Sequence, residues 1–309
     1  MDLLIWTGIL IISVTVLVIA SDYFVLGAEK IGLGFGMSPF LVGVFIVGIG
    51  TSLPELVSSI VSVYTNHSEI VIGNVLGSNI TNIFLVLGVG AIVGSKFKLS
   101  YDLMRIDLPF LSGSSILLAF MIYDKHFSTG DAVICLVALI AYFFTTAGQE
   151  SDNKSKDERS SIRVLDYIIV LVSTTMIFGG AKFTVDSVVK ISEILDIGSE
   201  IIALSAVALG TSLPEVMVSI SAARKGKGDM IVGNIIGSNI FNTFGVMGIA
   251  GITGKLVIPD SILSFSLPVS IAAAFMYFII TKNQEVNRNE GNILIIFYCF
   301  YILALFGIV

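Results

Sequence analysis

The sequence predicts an all-α polytopic membrane protein with ten transmembrane helices in two inverted five-helix repeats, both termini extracellular. Three observations carry that expectation. Charged residues are scarce, apolar runs long enough to cross a bilayer recur along the chain, and the sequence aligns with itself at an offset of 160 residues.

Scarcity of charge comes first. Of 309 residues, 55% are hydrophobic and 13% charged, against about 25% charged in a soluble domain. For most of this chain the solvent is therefore lipid. No Lys/Arg cluster points to nucleic acid, and the net charge of −6 is spread over short loops. Cys135 and Cys299 lie in apolar spans and suggest no disulfide framework. His67 and His126 fall in expected loops without a second metal-ligand residue, and read as solvated side chains.

Apolar runs, read against Gly, Pro and charge breaks, place helices over about 3–31, 39–64, 70–93, 104–122, 129–147, 164–190, 200–223, 229–252, 260–281 and 291–308,. The first begins "MDLLIWTG", with an acidic residue and no basic n-region. It reads as a retained span and not as a cleaved signal. One strongly polar stretch, "GQESDNKSKDERSSIR", divides five spans from five. Residues 1–147 are thus the first repeat, 148–163 a cytoplasmic linker and 164–309 the second repeat. With the N-terminus outside, thirteen Lys/Arg fall on the inner side. Only Lys125, Lys190 and Lys255 fall outside, with Lys182 inside a span, which is the bias cytoplasmic loops carry. Asp22 and Asp186, near the membrane faces, receive no role.

Self-similarity is strongest in the cores of the two halves, about 39–93 and 200–252. "VGIGTSLPELVSSI" (47–60) lies over "VALGTSLPEVMVSI" (207–220), and "GNVLGSNITNIFLVLG" (73–88) over "GNIIGSNIFNTFGVMG" (233–248). Without a gap, 19 of the 42 positions from Val47 to Gly88 are identical. Hydrophobic composition would pair Leu with Ile at random, but not Gly, Pro, Asn, Ser and Glu. Because each copy holds an odd number of spans, the second enters from the opposite side. Inverted repeats with broken helices at the midplane are a transporter architecture.

The "GTSLPE" stretches hold the chemistry. Proline lacks an N–H and its ring clashes with the carbonyl four residues earlier, so Pro54 is expected to free the carbonyl of Gly50, and Pro214 that of Gly210. In lipid a freed carbonyl needs a partner, and a cation supplies one. Glu55 and Glu215 fall in the middle third of their spans, where a carboxylate marks an ion path. No intramembrane Lys or Arg is an evident partner. The two carboxylates either protonate or share a cation. Thr51 stands one turn before Glu55 and shares its face. In the second motif Asn74, Ser78 and Asn82 form a polar stripe, with Gly73 and Gly77 open to close helix approach. The second half repeats it as Asn234, Ser238 and Asn242, with Gly233 and Gly237. Such a stripe alone reads as packing glue, whereas paired with GTSLPE it reads as the facing wall of one cavity. The candidate ligands are hard oxygens, suited to Ca²⁺, Na⁺ or Mg²⁺, and a mouldable set favours Ca²⁺ over Mg²⁺.

At these residues the chain resembles the cation/Ca²⁺ antiporter superfamily, and within it the compact prokaryotic sodium/calcium exchangers. The tandem GTSLPE and GNxxGSN motifs look like that family's α-repeats. The resemblance implies a secondary active antiporter that exchanges Ca²⁺ for Na⁺ by alternating access, with spans one and six sliding across the core. It implies no enzymatic activity and no cofactor. The resemblance also implies four ion sites between the α-repeat helices. Glu55 and Glu215, with the Thr51 and Thr211 carbonyls, would hold Ca²⁺. Ser52, Ser78, Ser212 and Ser238, with the Gly48 and Ala208 carbonyls, would complete Na⁺ sites, and Asn82 and Asn242 occupy the remaining positions. Relatives often carry Asp at one of those two. With Asn at both, two carboxylates remain, which leaves the coupling ion open between Na⁺, H⁺ and K⁺. The short linker holds no regulatory region, so no soluble protein partner is implied and a monomer is expected to suffice. The expected location is a prokaryotic plasma membrane. Two other classes fit less well. A cation channel would place its filter on an axis normal to the membrane, and an intramembrane hydrolase would need a base that Ser52 and Glu55 lack.

Overall fold

The computed structural model describes residues 2–151, 162–194 and 211–305. Its helices are α1 (Asp2–Gly34), α2 (Pro39–Tyr64), α3 (Glu69–Gly94), α4 (Asp107–Ile122) and α5 (Thr129–Ser151). After the linker come α6 (Val164–Ile194), α7 (Leu213–Arg224), α8 (Gly228–Thr253), α9 (Ile262–Thr281) and α10 (Arg288–Leu305). Among the described residues, seven of these are long and apolar enough to cross a membrane: α1, α2, α3, α5, α6, α8 and α9. The other three expected spans fall short for separate reasons. α4 has 16 residues and starts at Asp107, because the chain before it turns. α10 opens on a charged turn with Arg288 and Glu290. Of the expected span 200–223, only the part from Thr211 lies within the described residues.

Local chemistry explains several helix starts. Ser38 caps α2 by accepting from the Leu41 amide at 3.3 Å, with Pro39 at the first helical position,. At α5, Ser128 Oγ accepts from the Asp131 amide (3.1 Å) and Asp131 accepts in return from the Ser128 amide (2.8 Å). The same reciprocal cap opens α10, where Asn287 and Glu290 exchange backbone bonds of 3.1 and 2.8 Å,.

The fold is all-helical as expected, and its loops add a small feature. Among the described residues, four short strands form two antiparallel ribbons. β1 (Lys96–Lys98) pairs with β4 (Glu285–Asn287), and β2 (His126–Phe127) pairs with β3 (Leu256–Val257). Loop backbone at a membrane boundary still needs partners for its N–H and C=O groups, and the ribbons provide them. Each ribbon joins one half of the chain to the other. At the β1–β4 end, Asp229 also accepts from the Ser100 amide at 2.8 Å. At the β2–β3 end, the Val257 amide donates to Ser68 Oγ at 3.2 Å, and Lys125 pairs with Asp260 at 2.6 Å.

The motif-bearing helices are the centre of the fold. Buried residues make up 89% of the apolar window of α8 and 78% of that of α3, but 17% of that of α1. Outer helices expose apolar side chains such as Ile11, Phe120, Phe144 and Leu171, as lipid-facing surfaces do. α1 and α6 lie against each other at the periphery. Gly180 admits Leu17 of α1, Gly27 admits Val170 of α6, and Thr184 donates to Ser13 at 2.9 Å. Cys135 is buried and Cys299 exposed, and both are free thiols.

Candidate functional site

α2 does not run straight through its motif. Val42–Gly48 form a π-helical segment, Ile49–Thr51 a single α turn, and the helix breaks at Ser52 (φ −87°, ψ 5°) before resuming at Leu53. Pro54 sits in the first turn of the resumed helix, where its missing N–H is tolerated,. In the second half Ser212 has nearly the same backbone angles (φ −92°, ψ 0°) and is the N-cap residue of α7, with Pro214 in the first turn of that helix. Gly210 and Ala208 lie outside the described residues. The facing helices carry π segments too, at Asn82–Val86 in α3 and Phe241–Val246 in α8. Wide turns of this kind gather at functional sites, and here they begin at or beside Asn82 and Asn242.

Glycines let α2 and α8 touch backbone to backbone. A Cβ on Gly43 would stand 2.4 Å from the Met230 carbonyl oxygen, and one on Gly233 would stand 2.2 Å from that of Phe40. Gly48 and Gly237 are held as closely, by the Ser238 amide (2.9 Å) and the Val44 carbonyl (2.6 Å),. Gly73 and Gly77, expected to act alike on α3, meet only side chains among the described residues, Ile262 at 3.8 Å and Tyr301 at 3.9 Å. By the 160-residue offset the counterparts of Phe40 and Val44 are Glu200 and Leu204, which lie outside the described residues.

The predicted polar side chains converge. Ser78 Oγ donates to Glu55 Oε1 at 3.3 Å. Ser238 Oγ donates to the Gly48 carbonyl at 3.1 Å and lies 3.4 Å from Asn234 Oδ1, which also accepts from Thr51 Oγ1 at 3.4 Å. The Glu215 carboxylate faces Thr51 and Ser52, while that of Glu55 faces Thr211. The Asn74 amide nitrogen has a fastening role. It donates to the Glu55 backbone carbonyl (3.2 Å), Ser58 (3.1 Å) and Ser59 (3.2 Å), so it fastens α3 to the lower half of α2. The glue reading holds for that residue.

Two further residues act here that the sequence reading passed over. Asn79 Nδ2 donates to Thr243 Oγ1 at 2.8 Å, and Asn82 Nδ2 donates to Asn239 Oδ1 at 3.1 Å. Asn79 and Asn239 therefore tie α3 to α8. The signal was present, since both close the duplicated "GSN", but spacing alone does not tell a cross-link from a ligand.

Electrostatics set the cluster apart. Thr51, Ser52, Glu55, Ser78, Asn82, Ser212, Glu215, Ser238 and Asn242 are all buried, each no more than 4% exposed. Among the described residues, Ser52 Oγ, Glu55 Oε2, Asn82 Oδ1, Ser212 Oγ, Glu215 Oε2 and Asn242 Oδ1 have no hydrogen-bond partner. No ion pair among the described residues reaches either glutamate. Buried polar atoms are ordinarily satisfied, and leaving one unsatisfied costs about 1–3 kcal/mol. A nest of such oxygens at the centre of the molecule has the donor chemistry that suits a hard cation. Among the described residues no group of three or more His, Cys, Asp or Glu side chains is placed to hold a metal. A cation here would rely on two carboxylates plus hydroxyl, amide and carbonyl oxygens.

Known proteins match this chain along nearly its whole length. The model of the sodium/calcium exchanger protein family matches twice, over residues 5–148 and 165–307. The sodium/calcium exchanger MaX1 of Methanosarcina acetivorans is 33% identical, covering 97% of this chain and 98% of the relative. An uncharacterized membrane protein of Methanocaldococcus jannaschii is also 33% identical, with 98% of each chain covered. Among solved structures, the sodium-calcium exchanger NCX_Mj soaked with Na⁺ and Sr²⁺ superimposes with a TM-score of 0.84 at 30% identity, over 97% of this chain and 98% of the other. The same exchanger soaked with zero Na⁺ and Ca²⁺ also gives 0.84, at 31% identity.

Proposed function

The chain belongs to the sodium/calcium exchanger protein family, and on that premise we propose that it is a secondary active antiporter exchanging Ca²⁺ for Na⁺ by alternating access. It is a multi-pass membrane protein of the plasma membrane, and the reaction needs no cofactor. The observation that carries the reading is the set of buried, unpartnered oxygens around Glu55 and Glu215.

Two carboxylates balance one Ca²⁺ or two Na⁺. Unit charges about 4 Å apart repel by roughly 4 kcal/mol at an effective dielectric of 20, so a central Ca²⁺ and flanking Na⁺ compete for one set of oxygens. That mutual exclusion is what antiport requires. Glu55, Glu215 and the Thr51 and Thr211 carbonyls would take Ca²⁺. Ser52, Ser78, Ser212, Ser238 and the Gly48 and Ala208 carbonyls would take Na⁺, with Asn82 and Asn242 completing the ring. α1 and α6, packed on each other at the edge of this core, would slide across it as a pair.

Ten crossings in two inverted halves, 1–147 and 164–309, fit the contacts between loops. Every inter-loop contact described above joins segments that this topology puts on one side, and the twofold family match supports the duplication. The linker would be cytoplasmic and both termini outside, with a monomer sufficient. A proton as counter-ion is the second reading, since Asn at both 82 and 242 leaves two carboxylates. Radiocalcium uptake into proteoliposomes decides, first under an outward Na⁺ gradient and then under a pH gradient. Uptake driven by Na⁺ supports the first reading and uptake driven by pH alone the second. Calcium flux without any counter-ion would refute both.

A further inference from the structure

The two ends of this duplicated frame are not equivalent. At the end holding the β1–β4 ribbon, two carboxylates of α1 reach the turn between α7 and α8. Asp22 pairs with Lys225, and Ser221 donates to the same carboxylate, while Glu29 pairs with Lys227. Lys225, Lys227 and Glu29 are partly covered, with side-chain exposures of 22%, 17% and 24%, whereas Asp22 is 42% exposed, so the Glu29–Lys227 pair is the better shielded of the two. At the opposite end the 160-residue offset maps Asp22 to Lys182, Glu29 to Val189, Ser221 to Val61, Lys225 to Thr65 and Lys227 to His67. No ion pair among the described residues joins α6 to the turn between α2 and α3. The pair of Lys30 with Asp166 at 2.8 Å lies within the α1–α6 pair and would travel with it.

We propose that Asp22, Glu29, Lys225 and Lys227 form a one-sided ionic latch that holds α1 against the α7–α8 turn and sets which face the ion site opens to at rest. The inference rests on α1 and α6 being the moving pair. With the pairs made, α1 is docked on the core at the latch end, and the path from that end is closed. Sliding must separate both pairs at once, whereas the reverse movement makes no corresponding pair at the far end. The resting population is therefore weighted toward opening at the face away from the latch. These four are positioning residues and touch no ion. Apparent affinity at a face equals the intrinsic affinity scaled by the fraction of molecules open to it. The latch thus weakens apparent Ca²⁺ affinity at its own face.

The test uses the full chain in liposomes, with spin labels at Phe35, beyond the end of α1, and Val93, at the end of α3, in a background lacking Cys135 and Cys299. In Lys225→Gln/Lys227→Gln the label-to-label distance distribution is expected to broaden or shift. Half-saturating Ca²⁺ at the latch face should fall about three- to tenfold and should not fall at the other face. Lys125→Gln removes one positive charge from a core-to-core pair and should change neither readout. The swap Asp22→Lys with Lys225→Asp should restore the distances. Unchanged distances and affinities in the double variant would overturn the latch, as would equal affinity gains at both faces. If the wild-type chain exchanges no ions while the distances shift as stated, the latch stands and the exchange reading fails.

Discussion

Ser238 Oγ lies 3.1 Å from the carbonyl oxygen of Gly48, a residue 190 positions earlier in the chain. The contact exists because Gly48 has no side chain to hold α8 away from α2. A methyl at Gly48 would stand 2.9 Å from the Ser238 amide nitrogen and 3.0 Å from the Asn234 carbonyl oxygen. Gly48→Ala is therefore expected to destabilise the fold by about 1–3 kcal/mol and to lower transport. Gly113→Ala, where nothing lies within 4 Å, should leave both unchanged. Thermal melting in detergent, run beside flux, reads both effects.

Replacing Glu55 or Glu215 by Gln separates folding from function. The amide keeps the shape and removes a buried charge, so the melting temperature without ions should not fall. Sodium-driven radiocalcium uptake should drop to the background of empty vesicles. Added Ca²⁺ should raise the melting temperature of the wild type, since a ligand that binds only the folded state stabilises it, and should leave Glu55→Gln unmoved. Wild-type uptake by either variant would sink the assignment of the glutamates.

Asn82 and Asn242 are not interchangeable. Asn82 donates to Asn239 at 3.1 Å, while neither side-chain atom of Asn242 has a partner among the described residues. Asn82→Asp would set a carboxylate against a carbonyl unless the Asn239 amide turns over. Asn242→Asp breaks no such bond. The expected order of melting temperatures is Asn242→Asp above Asn82→Asp. Both should make uptake more sensitive to acid, because the added carboxylate takes part only when ionised. A shared melting temperature would argue against the Asn82–Asn239 cross-link.

The β1–β4 ribbon makes a smaller prediction outside the membrane. A hydrogen bond from Lys96, and then one from Lys98, holds the Glu285 carboxyl below its ordinary value. A lowered folded-state value means that the stabilisation is present above the ordinary carboxylate range and is lost as pH falls through the folded value. Wild type should melt slightly higher than Glu285→Gln at neutral pH. The two curves should merge below about pH 4. A gap that persists in acid would show that the pair contributes nothing through its charge.

The sequence alone determined the solvent, the duplication and the donor chemistry. Scarce charge makes lipid the solvent, a matching run of Gly, Pro, Asn, Ser and Glu is improbable without duplication, and a mid-span carboxylate next to proline identifies an unusual point in a helix. Glu55, Ser78, Glu215 and Ser238 could be named from that logic because each is polar where lipid permits no idle polarity, whereas Ser52 came from the family resemblance.

Only the tertiary structure decided how those residues are used. Asn74 and Ser78 share one helix stripe, yet Asn74 fastens α3 to α2 while Ser78 meets Glu55. Their roles depend on which side chain of α2 stands opposite. The wide turns at Val42–Gly48, Asn82–Val86 and Phe241–Val246, and the ribbons that join loops more than 100 residues apart, have no local signature either. Each arises where two helices or loops press together, and such contacts are properties of the folded pair that neither segment's composition records.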